Sequence, residues 1–229
     1  MEDNALIQFL RQSATEARYD TFRKVLDDRT RYLTVVLENI YQPQNASAVL
    51  RTADCFGIQD VHIIENNYEY QINPDVEKGA SSWLSLHRYD EEENNTRKAL
   101  QDLKKKGYRI IATTPHTDDV DLYNLDVTKG KMALVFGTEV TGISDIVREE
   151  ADEYLRIPMY GFTESFNISA SAALAMQHLR WKLNQEKSID WLLTSQEKED
   201  LMIEWLKKSI KKSDTLVRRF YELKEKGDL

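Results

Sequence analysis

This chain of 229 residues has a single cysteine, no long apolar run and no basic residue among its first ten. Because Cys55 is its single cysteine, an internal disulfide is excluded, and a reducing cytoplasmic location is expected. We expect Cys55 itself to be a small buried residue rather than a nucleophile. No run reaches the roughly 18 apolar residues of a membrane-spanning helix. The first ten residues contain two acids and no base. We therefore predict neither a membrane span nor a secretory signal.

Several common functional motifs are also absent. No G-x-G-x-x-G motif follows a predicted strand, and there is neither a P-loop nor a G-x-S-x-G elbow, so nicotinamide binding, P-loop phosphate binding and serine hydrolase chemistry are all disfavoured. The four histidines, His62, His87, His116 and His178, are scattered without the spacing of zinc ligands. The sequence therefore predicts no bound metal.

Acidic residues outnumber basic ones, and the net charge is −8. The imbalance is confined to residues 32–179, so the two ends of the chain are the better candidates to meet an anionic partner. For any single charge there, a solvated helix face is the alternative interpretation. The candidates are Lys207, Lys208, Lys211 and Lys212 near the C-terminus and Arg11, Arg18 and Arg23 near the N-terminus.

The pattern of apolar residues predicts an α/β protein. Short apolar runs that suit strands buried on both faces occur at 34–37, 61–64, 109–112, 132–136 and 154–157. Helical spacing occupies 4–27, 91–106 and the chain after residue 166. Another helix is expected from a cap at Asn45 to about Cys55. Strands that alternate with helices indicate a mostly parallel sheet covered on both faces.

The first of three unusual segments spans residues 43–54, after the first strand. It places Arg51 on a helix of otherwise small and apolar residues. Arginine in such surroundings usually has an anionic partner. That partner is either a substrate or a structural salt bridge, for which Asp54 and Glu139 are the candidates.

The other two segments also follow strands. Residues 136–144 carry glycines on both sides of an acid, which permits tight turns and close approach of the backbone to a ligand; the alternative is a plain turn with Ser144 as a helix cap. Residues 157–173 form an apolar loop that leads into a helix start rich in hydroxyl and amide groups, where free N–H donors are available; ordinary capping is the alternative. Open α/β sheets bind ligands at such strand ends.

Together and in order, "NASAVLRTADCFG", "FGTEVTGIS" and "IPMYGFTESFNISASAA" resemble the three signature motifs of the SpoU/TrmH family of RNA ribose 2′-O-methyltransferases. The resemblance is strongest over residues 34–176. It implies an α/β domain at 32–179 with a C-terminal trefoil knot, flanked by helical extensions at 1–31 and 180–229. It also implies S-adenosylmethionine as the cofactor and a homodimer as the assembly.

The same resemblance assigns site residues. For the cofactor it implies Thr113, Gly137, Ile157, Met159 and Phe166. For the catalytic site it implies Arg51 together with Asn45, Glu139, Ser165 and Asn167. Phe166 departs from the leucine usual in the family, and Glu164 stands where close relatives often carry glutamine.

The terminal helices resemble the branch that methylates guanosine 18 in the tRNA D-loop. Ribosomal RNA, the tRNA anticodon loop and a non-catalytic RNA-binding role are the alternatives. The family gives Arg51 the task of activating the ribose hydroxyl. Because arginine is effectively never deprotonated, we favour a charged Arg51 that holds a phosphate and stabilises the developing alkoxide. The sequence leaves both interpretations open.

Overall fold

The computed structural model describes residues 4–115, 120–138 and 141–227. Over these ranges, the strands are β1 (Leu33–Glu38), β2 (Asp60–Ile64), β3 (Ser85–Tyr89), β4 (Arg109–Thr113), β5 (Val120–Asp121), β6 (Met132–Phe136) and β7 (Glu153–Arg156). The helices are α1 (Ala5–Arg11), α2 (Glu16–Asp27), α3 (Pro43–Cys55), α4 (Pro74–Glu77), α5 (Thr96–Lys105), α6 (Asp145–Glu150), α7 (Ile168–Gln185), α8 (Ser195–Ser209) and α9 (Ser213–Lys226).

The strands form one sheet in the order β3-β2-β1-β6-β4-β7-β5, and every described strand pair is parallel. The predicted α/β class is therefore confirmed. The chain builds β1, β2 and β3 outwards in one direction and then crosses to β4, leaving space that β6 later fills. Such reversals of strand order create a crevice at the carboxyl ends of the strands.

Helices cover both faces of the sheet. On one face, α3 and α7 pack over the side chains of β1 and β6, including Val35, Leu37 and Leu134. On the other face, α5 and α6 pack over Val36, Val135 and their neighbours. The central strands are buried along their whole length, which explains why they appear in the sequence as uninterrupted apolar runs.

The five predicted strands are all present, and β3 and β5 are additional. Both additional strands lie at the edges of the sheet. The sequence of β3, SLHRY, is half-exposed and largely polar, and β5 has two residues. Neither therefore produces an apolar run.

Several predicted helix boundaries were wrong. Residues 4–27 form two helices rather than one, because Thr15 caps a second start. Helix α3 begins three residues earlier than expected, at Pro43, with Gln42 rather than Asn45 at the cap. Lys212 takes the cap position before α9, and Thr194 and Glu197 form a capping box at the start of α8.

Contacts divide the chain into two compact units. The central unit is residues 30–191 and contains the sheet. The terminal unit is the described part of 1–29 and 192–229, in which α1, α2, α8 and α9 pack together. Its core includes Trp205, whose ring lies 5.5 Å from that of Phe22. No helix of the described chain is long and apolar enough to cross a membrane.

Candidate active site

A cavity of about 420 Å³ opens at the carboxyl ends of β4, β6 and β7, within the central unit. Its walls come from the loop after β4, the 137–143 turn and the 157–167 segment. All five residues that the sequence assigned to cofactor binding line it, namely Thr113, Gly137, Ile157, Met159 and Phe166. Ser165 and Asn167, assigned to the catalytic site, line it as well. The second and third motif segments therefore meet at one place.

The first wall is a turn that folds back on itself after β6. The Thr138 amide donates to the Gly142 carbonyl at 3.0 Å, and the Gly142 amide donates to the Thr138 carbonyl at 3.1 Å. This return brings the backbone so close to Gly137 that a Cβ there would lie 2.2 Å from the Gly142 oxygen. Gly142 has φ +69°, the left-handed region that favours glycine. Glycine is therefore required at position 137 by lack of space and at position 142 by the backbone conformation. Glu139, which the sequence assigned to the site, lies outside the described residues.

The second wall is the segment between β7 and α7. Ile157 and Met159 supply apolar surface to the cavity, and Phe166 adds a ring that remains 42% exposed. Tyr160 and Phe162 of the same segment point into solvent. The cavity is therefore lined by apolar side chains from this segment and by a turn rich in backbone polar groups.

A pair of asparagines connects the first and third motif segments. Asn167 caps α7, since its Oδ1 accepts from the Ser169 amide at 2.8 Å. Its Nδ2 donates to Oδ1 of Asn45 at 3.2 Å. Asn45 is only 7% exposed, and its own Nδ2 donates to Gln42 Oε1 at 3.2 Å. Asn45 therefore fixes the start of α7 against α3 rather than capping α3.

Arg51 is placed differently from the other predicted residues. It lies on the exposed face of α3 and is not in the lining of the cavity. Within the described part of the chain its guanidinium makes no hydrogen bond or ion pair, so the salt bridge considered with Asp54 is absent. The alternative partner, Glu139, is not described. Cys55, one turn later on the same face, is exposed rather than buried as expected.

Some lining residues were not singled out by the sequence. Thr114 is buried, and its amide donates to the Leu155 carbonyl at 3.0 Å, which fixes the path of the chain leaving β4. Arg148 of α6 brings a further ionisable side chain to the lining, beside that of Glu164, which the sequence had marked as a departure from close relatives. Thr114 directly follows Thr113 at the end of β4, so treating the whole end of that strand as a candidate would have found it. Over the ranges that the structure describes, no three His, Cys, Asp or Glu side chains form a group that could hold a metal ion.

Comparison with known proteins decides the family. Residues 32–177 match the SpoU rRNA Methylase family. The chain belongs to this family. Among its relatives is the tRNA (guanosine(18)-2′-O)-methyltransferase of Borreliella burgdorferi, 44% identical over 205 residues, which are 89% of this chain and 91% of that protein. The Thermus thermophilus protein of the same name is 33% identical over 71% of this chain and 81% of its own length.

A solved structure of the SpoU family has the same fold. The crystal structure of the A. aeolicus TrmH/SpoU tRNA modifying enzyme superposes with a TM-score of 0.72 at 26% identity. The match covers 83% of this chain and 95% of that chain. The family predicted from the three motifs is therefore confirmed, and the seven-stranded parallel sheet is shared with a SpoU enzyme.

Proposed function

We propose that this SpoU-family chain transfers a methyl group from S-adenosylmethionine to the ribose 2′-hydroxyl of guanosine 18 in the tRNA D-loop. The observation that carries the proposal is the convergence of the second and third motif segments on one cavity. The first segment joins them through the Asn45–Asn167 hydrogen bond. The choice of guanosine 18 is supported by the names of the relatives that are 44% and 33% identical over the aligned residues.

The cavity fits the cofactor in size and in chemistry. A volume of about 420 Å³ is within the range of small-molecule sites. Ile157, Met159 and Phe166 would pack on the adenine ring, and the backbone of Gly137 and Gly142 would approach the polar parts of the molecule. When bound, S-adenosylmethionine would supply an electrophilic methyl group on its sulfonium sulfur, and the neutral thioether that remains is a good leaving group.

The chain's own residues would then align the ribose and stabilise the oxygen. Ser165 and Asn167 present hydroxyl and amide groups at the cavity, and Asn45 holds Asn167 in place. Alignment of bound reactants lowers a barrier by up to roughly 7–11 kcal/mol. Arg51 would stay charged, hold the phosphate beside the target ribose and stabilise developing negative charge on the 2′-oxygen. The proton would leave late, to phosphate or water.

Arg51 does not line the cavity of its own chain. For Arg51 to take part in the reaction, its guanidinium and a cofactor cavity must be brought together. We propose that the chain forms a homodimer, and that the dimer and the bound RNA together bring Arg51 to the cavity. We also propose that the segments that form the cavity walls contain the trefoil knot of the family. The apolar stripe of α7 that includes Ala172, Met176 and Leu179 is not available as an interface, because it is buried inside the central unit.

A different face of α7 supports the homodimer. Leu174 and Trp181 are 44% and 54% exposed, and they lie two helical turns apart on one face. His178 lies between them, with its ring 5.1 Å from that of Tyr123. Burial, with a smaller contribution from Lys182, lowers the pKa of the His178 imidazole, so it adds no charge to this face at neutral pH. Large exposed apolar patches mark interaction sites.

Placing a charge on that face is expected to produce monomers. We expect the wild-type chain to be a dimer by light scattering at micromolar concentration and Leu174→Asp/Trp181→Asp to be a monomer. Tyr221→Asp, an equally exposed aromatic on α9, is the matched control and should stay dimeric. A wild-type monomer, or a dimer that survives both charges, would contradict the proposed interface.

RNA capture is assigned to the terminal unit. The side chains of Lys207, Lys211 and Lys212 make no hydrogen bond or ion pair among the described residues, whereas that of Lys208 contacts Glu204. Nη1 of Arg18 reaches the Ser209 carbonyl at 3.4 Å, which places this arginine beside the same helix end. Arg11 is paired with Glu16 and is therefore a weaker candidate, and Arg23 is exposed.

Removing the three unpaired lysines is expected to weaken RNA binding and to reduce its salt dependence. Each lost phosphate contact lowers the slope of log K against log salt by roughly 0.9 on duplex and 0.7 on single strands. Lys207→Ala/Lys211→Ala/Lys212→Ala should therefore flatten the slope, while cofactor affinity stays unchanged. Arg11→Ala is the paired control, and Arg18→Ala/Arg23→Ala tests the N-terminal set. If no set alters affinity or slope, RNA is captured elsewhere.

The proposed reaction is tested by methyl transfer from labelled S-adenosylmethionine to total RNA, followed by mapping of the labelled nucleotide. Label on ribosomal RNA or in the anticodon loop would favour the other substrates. Cofactor binding without transfer would favour a non-catalytic RNA-binding role.

A further inference from the structure

A buried carboxylate stands behind the cavity wall, outside the lining. Glu38 is the last residue of β1 and is 1% exposed. One residue before it, Leu37 is in register with Phe136, the last residue of β6. The side chain of Glu38 is therefore close to the point where the chain leaves β6 and enters the turn that forms the first wall.

Three hydrogen bonds converge on this carboxylate. The hydroxyl of Ser144 donates to Oε1 at 2.7 Å, and the Ser144 amide donates to Oε2 at 3.1 Å. The hydroxyl of Thr96, the first residue of α5, donates to Oε1 at 2.7 Å. Within the described residues no basic side chain pairs with Glu38. Since a buried carboxylate is costly unless donors satisfy it, these three bonds are what permit it here.

The network has a fixed direction. The Ser144 hydroxyl already accepts from the Val147 amide at 3.2 Å, and the Thr96 hydroxyl accepts from Asn66 Nδ2 at 2.9 Å. A carboxylate can only accept, so each hydroxyl uses its proton on Glu38. An amide in place of the carboxylate would point an NH₂ group at a donor, and at least one bond would be lost.

These bonds fix one end of the cavity wall. Ser144 caps α6 and directly follows the turn whose described members Gly137, Thr138, Thr141, Gly142 and Ile143 line the cavity. The other end of the turn is held by β6. With Ser144 released, hydrogen bonds within the turn would remain, between Thr138 and Gly142 and between Thr138 and Thr141. The bond that ties the end of the turn to the sheet would be lost.

We propose that Glu38 is a positioning residue that holds the cofactor wall through Ser144. The inference rests on the proposed cofactor but not on the identity of the RNA. Glu38 touches neither the cavity nor the reacting atoms. Its effect is therefore on cofactor affinity, since a mobile wall must be ordered each time the cofactor binds.

The test is calorimetric titration of S-adenosylmethionine into Glu38→Gln, Ser144→Ala and Thr96→Val, with thermal unfolding measured on each. We expect Glu38→Gln and Ser144→Ala to weaken binding by about tenfold, the size of one lost bond to a charged group. Ser144→Thr keeps the hydroxyl and should restore affinity. Thr96→Val removes a bond to the same carboxylate from the side of α5, so it should lower the midpoint of unfolding while leaving affinity within about twofold of wild type.

The KM and kcat of methyl transfer supply a second readout. Under the proposal, Glu38→Gln raises the cofactor KM and leaves kcat at saturating cofactor nearly unchanged. Equal loss of affinity in Thr96→Val and Glu38→Gln would reduce Glu38 to a general stabilising role and overturn the proposal. A folded Glu38→Gln variant that binds S-adenosylmethionine with wild-type affinity would also overturn the proposal. A wild-type chain that binds no S-adenosylmethionine would instead overturn the proposed function and this inference with it.

Discussion

Replacement of Arg51 by alanine is expected to lower the rate of methyl transfer by about a hundredfold to a thousandfold, the usual cost of removing a donor that stabilises a developing oxyanion. The side chain is exposed and unpaired among the described residues, so its loss should not change the midpoint of unfolding. It is outside the cavity, so cofactor affinity should also be unchanged. The measurement is single-turnover transfer with saturating RNA and cofactor.

Two further variants separate charge from position at Arg51. Arg51→Lys keeps a positive charge but loses the planar fork that binds a phosphate through two parallel bonds, so it should remain poor. Cys55→Ala alters the same exposed face of α3 one turn away and should behave as wild type. Transfer at the wild-type rate by Arg51→Ala would remove this residue from the mechanism.

A single methyl group on Gly137 is expected to damage the cofactor site severely. The added Cβ would lie 2.2 Å from the Gly142 carbonyl, a backbone atom that cannot move aside without opening the turn. Overpacking of this kind costs about 1–3 kcal/mol, and if the turn must recover its shape to bind the cofactor, Gly137→Ala should bind it roughly fivefold to 150-fold more weakly. Calorimetric titration of S-adenosylmethionine measures it.

The opposite wall provides a matched control for Gly137. Gly161 is also a glycine in a cavity-forming segment, but a Cβ there would meet no atom within 4 Å. Gly161→Ala should therefore bind S-adenosylmethionine with wild-type affinity. Equal affinities for the two variants would show that the 137–143 turn does not contact the cofactor.

The central part of the fold could be predicted from the sequence because its strands are buried on both faces. Strands such as β1 and β6 can hold only apolar side chains along most of their length, and they appear as runs. The edge strand β3 alternates with polar residues because solvent reaches it, so no run marks it. Its pairing with β2 depends on tertiary contacts, which the local sequence pattern does not predict.

The site was predictable in its parts but not in its connections. Family motifs identified the residues that line the cavity, whereas the Asn45–Asn167 bond joins positions 122 residues apart and leaves no local signal. Glu38 is similar, since an acid that ends an apolar strand looks like the edge of a loop until Ser144 is placed beside it. The position of Arg51 outside the cavity depends on which face of α3 packs inwards, and the sequence alone did not decide that.

The most direct test of the account uses two transcripts of one tRNA, which differ only in whether guanosine 18 carries a 2′-hydroxyl or a 2′-hydrogen. The purified chain is incubated with each and with methyl-labelled S-adenosylmethionine, and the product is digested and mapped by mass spectrometry. The account predicts one methyl group on the ribose of guanosine 18 in the first transcript and none in the second. Methylation of any other nucleotide, or equal labelling of both transcripts, would contradict it.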